Sequence, residues 1–219
     1  MSVLGTMPGL ATPEDIIHEA QAVILIESQV IAAVARQLGP DFVAAARRIL
    51  DCQGHVLVTG AGTSHSVAAR FAHLLSCCGT PALFIHPGDS QHGLSGAVTS
   101  RDVLFAISKG GETVEVNYLA RIAKNRGACL IGLTEKVEST LGRLSDIVLC
   151  FQAPPEGDAY GMIAMGSSLF NSALCDAFCW VLLKMRGYTK EAFGETHPGG
   201  AVGLKLTGEN SSGRDLENG

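Results

Sequence analysis

Residues 55–64 read HVLVTGAGTS. A short β-branched apolar run passes straight into a Gly-Ala-Gly turn, and residues 66–78 follow with helical spacing. That is the signature of a strand feeding a helix. The hydrophobicity is continuous rather than alternating, which indicates a strand covered on both faces and so a parallel sheet. Similar runs recur at residues 82–85, 103–107, 128–133 and 146–150, with helical patterns between most of them, notably at 114–125 and 139–144. The pattern predicts an α/β domain: a doubly wound, five-stranded parallel sheet with helices on both faces.

Upstream, Thr12-Pro13-Glu14-Asp15 supplies a cap residue, a proline at the first helical position and acids in the first turn. Ile16, Ala20, Val23, Ile24, Ile31 and Val34 then recur at roughly the helical period, Gly39-Pro40 ends the helix, and residues 42–50 carry a second, shorter one. Downstream, a long helix is expected from Gly161 to Gly187. With Phe170, Leu174, Phe178, Trp180, Val181 and Met185 it carries more apolar surface than one face needs. Together with the N-terminal helix it suggests packing between subunits of a homo-oligomer, a tetramer by the resemblance given below. The expected organisation is an N-terminal tail at 1–11, a single domain at 12–206 and a disordered polar tail at 207–219.

Composition narrows the classes further. The chain has 219 residues, 47% of them hydrophobic and 17% charged, the latter below the ~25% of typical soluble chains, so surface is expected to be hidden. Lys plus Arg number 16 against 21 Asp plus Glu, a net charge of −5. A mildly acidic chain without a basic run is a poor fit to nucleic acid or to an anionic membrane. Asn171, Asp176 and Lys184 interrupt the most apolar stretch and argue against a membrane span. The seven cysteines form no CxxC pair and lie in apolar runs, which suggests reduced, buried thiols in a cytoplasmic protein.

In such a sheet, ligands sit beyond the carboxyl ends of the strands. Two stretches at strand ends have the chemistry for an anion. Gly60-Ala61-Gly62-Thr63-Ser64 lets backbone approach closely, and Ser64 opens a helix whose free N–H groups favour negative charge. It is no dinucleotide fingerprint, since His65 stands where the third glycine belongs. Ser108-Lys109-Gly110-Gly111-Glu112-Thr113 repeats the arrangement after another strand. Ser64, Ser108 and Thr113 are the expected side-chain donors of a phosphate cradle, and Lys109 adds a charge. No histidine, cysteine or acid group has metal-ligand spacing, and neither metal nor cofactor is expected.

The pair GAGTS and ISKGGET resembles the sugar isomerase (SIS) domain, which binds phosphosugars. His86-Pro87-Gly88-Asp89-Ser90-Gln91-His92-Gly93, residues 102–108 and His197-Pro198-Gly199-Gly200 are similar to motifs of arabinose-5-phosphate isomerases, specifically of catalytic domains without the paired CBS module. The resemblance runs from about Ile16 to Leu206. It implies an intramolecular oxidoreductase, an aldose–ketose isomerase acting on a phosphosugar through a cis-enediol. It also implies catalytic roles for Glu112, Glu156 and His197. Gly62, Thr63, Ser64, Ser108, Lys109, Gly111, Thr113, His86 and His92 would then line the substrate site. The chain departs from the family pattern in three places: Thr63 stands where lysine is usual, Lys109-Gly110-Gly111 replaces the usual x-Ser-Gly, and residues 161–168 differ from the usual proline-and-threonine version.

Plainer roles exist for the same residues. Glu112 sits where a helix-capping acid belongs. Glu156, in Ala153-Pro154-Pro155-Glu156-Gly157, is a carboxylate on a stiff loop, suited either to a fixed base or to solvation. His86, His92 and His197 flank Pro-Gly turns. Two other functions fit the motifs: a regulatory module that binds phosphosugars without turning them over, and an isomerase of a hexulose phosphate or a sulfonated sugar.

Overall fold

The computed structural model describes residues 12–207. The expected tail at 1–11, and all of the expected tail at 207–219 except its first residue, lie outside them. In chain order the elements are α1 (Pro13–Ala35), α2 (Pro40–Leu50), β1 (Val56–Gly60), α3 (Thr63–Cys77), β2 (Ala82–Phe84), α4 (Pro87–Ser90), a 3-10 turn at Leu94–Ala97, β3 (Val103–Ile107), α5 (Val114–Asn125), β4 (Cys129–Thr134), α6 (Thr140–Leu144), β5 (Ile147–Cys150), α7 (Gly166–Arg186), α8 (Lys190–Thr196) and α9 (Gly200–Thr207).

The five strands form one sheet in the order β2-β1-β3-β4-β5, and every pairing is parallel. β1 and β3 are buried at every position, as their unbroken apolar runs require. Alternation along each strand divides the core between the two faces. Val56, Val58, Val103, Phe105 and Ile107 pack with α1, α2, α3 and α7. Leu57, Leu104 and Ala106 face α5 and α6. On the first side Phe178 stacks on Phe42 with ring centres 4.1 Å apart, and Phe71 meets Phe105 edge-on at 5.1 Å.

Local chemistry sets the helix ends. Thr12 and Asp15 close a capping box ahead of α1, with Pro13 at the first helical position. Pro40 likewise starts α2, two residues earlier than expected. The long downstream helix begins at Gly166 rather than Gly161. Asp158 gathers the backbone N–H groups of Tyr160, Met162 and Ile163 into a turn and so delays it. The short α4, α8 and α9 are too brief to leave a periodic pattern.

α7 is bound into the core, and its Asp176 pairs in bidentate fashion with Arg70 of α3 at 2.6 and 3.0 Å. Both α1 and α7 are long and apolar enough to cross a bilayer by length and composition alone. α1 buries Val30, Ala33 and Val34 but leaves Ile16, Ile17, Ile24 and Leu25 exposed, and α7 exposes Trp180. The cysteines correct one expectation: all seven are free, but only Cys175 and Cys179 are buried, while Cys150 is exposed. Cys52, Cys77, Cys78 and Cys129 are half-buried, and Cys52, Cys78 and Cys129 pack against the rim of the core.

Candidate functional site

β1 and β3 are neighbours, and the chain leaves them in opposite directions along the sheet. This is the topological switch point, where a doubly wound sheet opens a crevice at its carboxyl edge. Both hydroxyl-bearing loops lie there. In the first, a Cβ on Gly60 would come within 2.6 Å of the Ser64 carbonyl oxygen, and Gly62 sits at φ +59°, a region costly for other residues. In the second, Gly111 has φ +68°, and a Cβ there would collide with Ser139. The Gly111 carbonyl accepts from Asn117 Nδ2 at 3.1 Å and from the Leu141 N–H at 3.0 Å, which fixes the loop to α5 and α6.

Among the described residues, four helices (α1, α4, α6 and α8) have an N-cap side chain that accepts a hydrogen bond from a backbone N–H of the first turn. α3 and α5, which open at the switch point, have no such side-chain cap. Helix starts left without a side-chain cap at a strand's carboxyl edge are an arrangement that suits an anion. Ser108 is buried, and its hydroxyl shares a 2.9 Å hydrogen bond with that of Thr113. Ser64 is half-buried beside the exposed Gly62 and Thr63.

Glu156 approaches the second loop from the loop beyond β5. Its side chain is 4% exposed. Lys109 Nζ donates to Oε1 at 2.9 Å, and the Ser167 N–H donates to Oε2 at 3.1 Å, so the carboxylate also caps the first turn of α7. Burial alone would raise its pKa. The hydrogen bonds from Ser167 and Lys109 outweigh that, and the group is held below the usual carboxylate range. Lys109 Nζ also lies 3.9 Å from Glu135 Oε1. The lysine expected to face a phosphate thus rests on the carboxylate expected to be the base, a contact that spacing in the sequence could not show.

Glu112 lies elsewhere. It holds Thr140 at the start of α6 rather than capping its own helix α5, whose N-cap is Thr113. The Thr140 hydroxyl and N–H, then Arg143 and Lys136, keep its pKa below the usual range. His197 ends α8. Its ring stacks on Phe193 at 3.8 Å, and Nδ1 lies 2.9 Å from the Phe193 carbonyl and 3.0 Å from the Thr196 hydroxyl. These contacts are local to α8, and among the described residues no hydrogen bond or ion pair joins the imidazole to Glu156. His86 caps α4, accepting from the Asp89 N–H at 3.3 Å, and His92 is exposed on the following turn.

One residue at the site escaped the sequence. His65, in the first turn of α3, packs on Phe84 at 4.4 Å and meets His86 edge-on at 5.6 Å. Its position directly after Ser64 was the available signal. Among the described residues no group of three or more histidines, cysteines or acids is placed to hold a metal ion.

Comparison with known proteins agrees with the motifs. The SIS domain model matches residues 49–191. The chain is 36% identical over 206 residues to the arabinose 5-phosphate isomerase KdsD of Yersinia pestis, and 34% identical to that of Escherichia coli K12. These matches cover 94% of this chain and 62% of each relative, so the chain spans about three fifths of their length. Among solved structures, a Listeria monocytogenes protein described as a candidate sugar-phosphate isomerase superposes with a TM-score of 0.84 at 32% identity. The Escherichia coli CFT073 protein c3406, in complex with arabinose 5-phosphate, superposes with a TM-score of 0.83 at 28% identity. Each superposition covers 86% of this chain and 100% of the other. With its doubly wound sheet and paired switch-point loops, the chain belongs to the SIS domain family.

Proposed function

We propose that this protein is an aldose–ketose isomerase of a phosphorylated sugar, arabinose-5-phosphate-like, working through a cis-enediol. The observation that carries the reading is the junction of Glu156 with the second switch-point loop. A buried, ionised carboxylate stands at the edge of a crevice whose helix ends and hydroxyls suit a phosphate. The relatives named for arabinose 5-phosphate isomerase and the sugar-phosphate complex of the c3406 protein support the substrate class.

The phosphate occupies the N–H groups at the starts of α3 and α5, with Ser64, Ser108 and Thr113 as hydroxyl partners. Gly62, Thr63 and Gly111 shape the cradle, and His86 and His92 line its rim. Binding energy from this remote group positions the reacting carbons. Glu156 removes the proton from the carbon next to the carbonyl. The electron pair forms the enediolate, and the same carboxyl returns the proton to the neighbouring carbon, so the reaction is redox-neutral over the whole molecule. His197 opens the sugar ring and moves protons between the two oxygens, since an imidazole carries one donor and one acceptor nitrogen. Glu112 has the lesser part of holding a substrate hydroxyl, as Thr140 already engages both its oxygens.

The working unit is a single domain at residues 12–206, acting in the cytoplasm as a homotetramer without nucleic-acid or membrane partners. The exposed apolar residues of α1 and α7 support assembly, and the net charge of −5 supports the choice of a small anion reached through local contacts rather than a polyanion. In the tetramer a neighbouring chain delivers His197 to the site.

A panel of phosphorylated and sulfonated aldoses and ketoses in deuterated water, followed by proton NMR, tests the reading. Exchange and interconversion of a phosphorylated aldose and its ketose are expected. Tight binding with no exchange would instead establish a sensor, and exchange confined to a sulfonated sugar or a hexulose phosphate would move the substrate.

A further inference from the structure

Glu156 is fastened at both oxygens, and the two fasteners differ in kind. The Ser167 N–H belongs to the first turn of α7 and can withdraw only if that helix unwinds. The Lys109 ammonium ends a flexible four-carbon stem and leaves by rotation about single bonds. The main chain of Lys109 is fixed, since its carbonyl accepts from the Glu135 N–H at 2.9 Å and from the Thr134 hydroxyl at 3.1 Å. Its side chain is 43% exposed, so it has room to turn. Lys109 also directly follows Ser108, whose hydroxyl belongs to the phosphate cradle proposed above. One ammonium is therefore within reach of both the resting carboxylate and an incoming dianion. A dianion is the stronger attractor, because it offers more charge and more acceptor oxygens.

We infer that Lys109 is a phosphate-operated latch: it holds Glu156 in the empty site and releases it when the phosphate of the substrate draws the ammonium away. Released, Glu156 keeps the Ser167 N–H, loses its cation and becomes the stronger base in a buried setting. Proton abstraction is then conditional on phosphate. An unphosphorylated sugar is rejected in the chemical step as well as in binding, a use of remote binding energy to raise kcat. Lys109 is a positioning residue here, acting through Glu156. The inference rests on the isomerase reading, and the experiment separates the two.

The test divides the substrate into pieces. Wild-type protein is first given the panel of phosphosugars in deuterated water; no exchange with any of them overturns the isomerase reading and the latch together. The unphosphorylated parent of the aldose turned over is then supplied with and without inorganic phosphite dianion. For wild type, phosphite is expected to raise exchange of the free sugar about tenfold or more, since a general base freed from its paired cation is the stronger base. For Lys109→Met, exchange without phosphite is expected to start about tenfold above wild type, and phosphite is expected to add nothing. Lys109→Gln keeps a neutral donor near Glu156 and is expected to fall between the two. It also carries the test if the methionine variant does not fold, as judged by its thermal melt. A clasp with only a structural part predicts slower exchange in both variants. A lysine that only binds phosphate predicts unchanged exchange without phosphite. Either result overturns the latch, as does a wild type indifferent to phosphite.

Discussion

Both oxygens of Glu112 are taken by one residue, Thr140: Oε1 accepts from its backbone N–H at 2.8 Å and Oε2 from its hydroxyl at 2.7 Å. The carboxylate therefore ties the second switch-point loop to the start of α6. Glutamine keeps one acceptor oxygen for the same contacts. Glu112→Gln is expected to lower turnover less than about tenfold, against the ~10²-fold or more of a lost general base. Steady-state kinetics of this variant beside Glu156→Gln decides between a positioning and a central part for Glu112.

Glu156→Gln and His197→Ala should each reduce turnover by about 10²–10⁴-fold, the usual contribution of a positioned acid or base. Neither side chain belongs to the phosphate cradle, so calorimetric affinity for the phosphosugar should change only a few-fold. Wild-type rates in both variants would remove them from the mechanism.

Gly111 combines a positive φ of 68° with a Cβ position that Ser139 already fills. Gly111→Ala is expected to cost about 2 kcal/mol or more. In a domain of this size that lowers the melting temperature by roughly 4–8 °C, which calorimetry would read. Gly110 meets nothing within 4 Å, and alanine there should be nearly silent.

Asp102 links strands at the opposite edge of the sheet. One oxygen accepts from the His55 N–H at 2.7 Å, and the other accepts from the Thr99 N–H at 2.6 Å and the Thr99 hydroxyl at 2.8 Å. Burial would raise its pKa, but these bonds outweigh it and hold the group below its ordinary value. A folded-state pKa below the unfolded one gives stability that is complete above about pH 4 and is lost as pH falls through the folded value. Asp102→Asn should cost about 1.5–3 kcal/mol at pH 7, and its stability should fall less steeply than wild type below pH 4. Urea unfolding at several pH values measures both.

Ile24 and Leu25 lie on the uncovered face of α1. A double change to glutamate at these positions should reduce the mass seen by sedimentation while leaving the circular dichroism spectrum intact. If His197 reaches Glu156 only from a neighbouring chain, that smaller species should be folded and inactive.

The sheet was legible because its physics is local. Runs such as Val103–Ile107 are buried along their whole length, and residues 114–125 were placed to the residue because α5 is long and amphipathic. Both switch-point loops were legible too, since glycine and hydroxyl residues mark a chain that must bend and bind. Pairings across the fold were not. Nothing in the spacing of Lys109 and Glu156, 47 positions apart, announces a 2.9 Å contact. The plainer role of Glu112 as a cap of its own helix did not hold because a carboxylate beside one helix start can serve another, and α8 went unseen because a helix of two turns leaves no period to count. The start of α7 slipped by five residues, since the turn around Asp158 depends on three backbone donors that composition does not reveal.

The packing of α3 against α7 has a consequence for timing. Phe71 and Phe178 meet with ring centres 6.2 Å apart, and the Arg70–Asp176 fork bridges the same two helices near the surface. One helix begins at the first switch-point loop and the other begins under Glu156. Because they share a close-packed seam, the span from the first switch-point loop to the Glu156 carboxylate is a ruler set when the chain folds. Under the proposed function, rearrangement on arrival of a guest falls to side chains such as Lys109, which turn in picoseconds to nanoseconds at exposed positions.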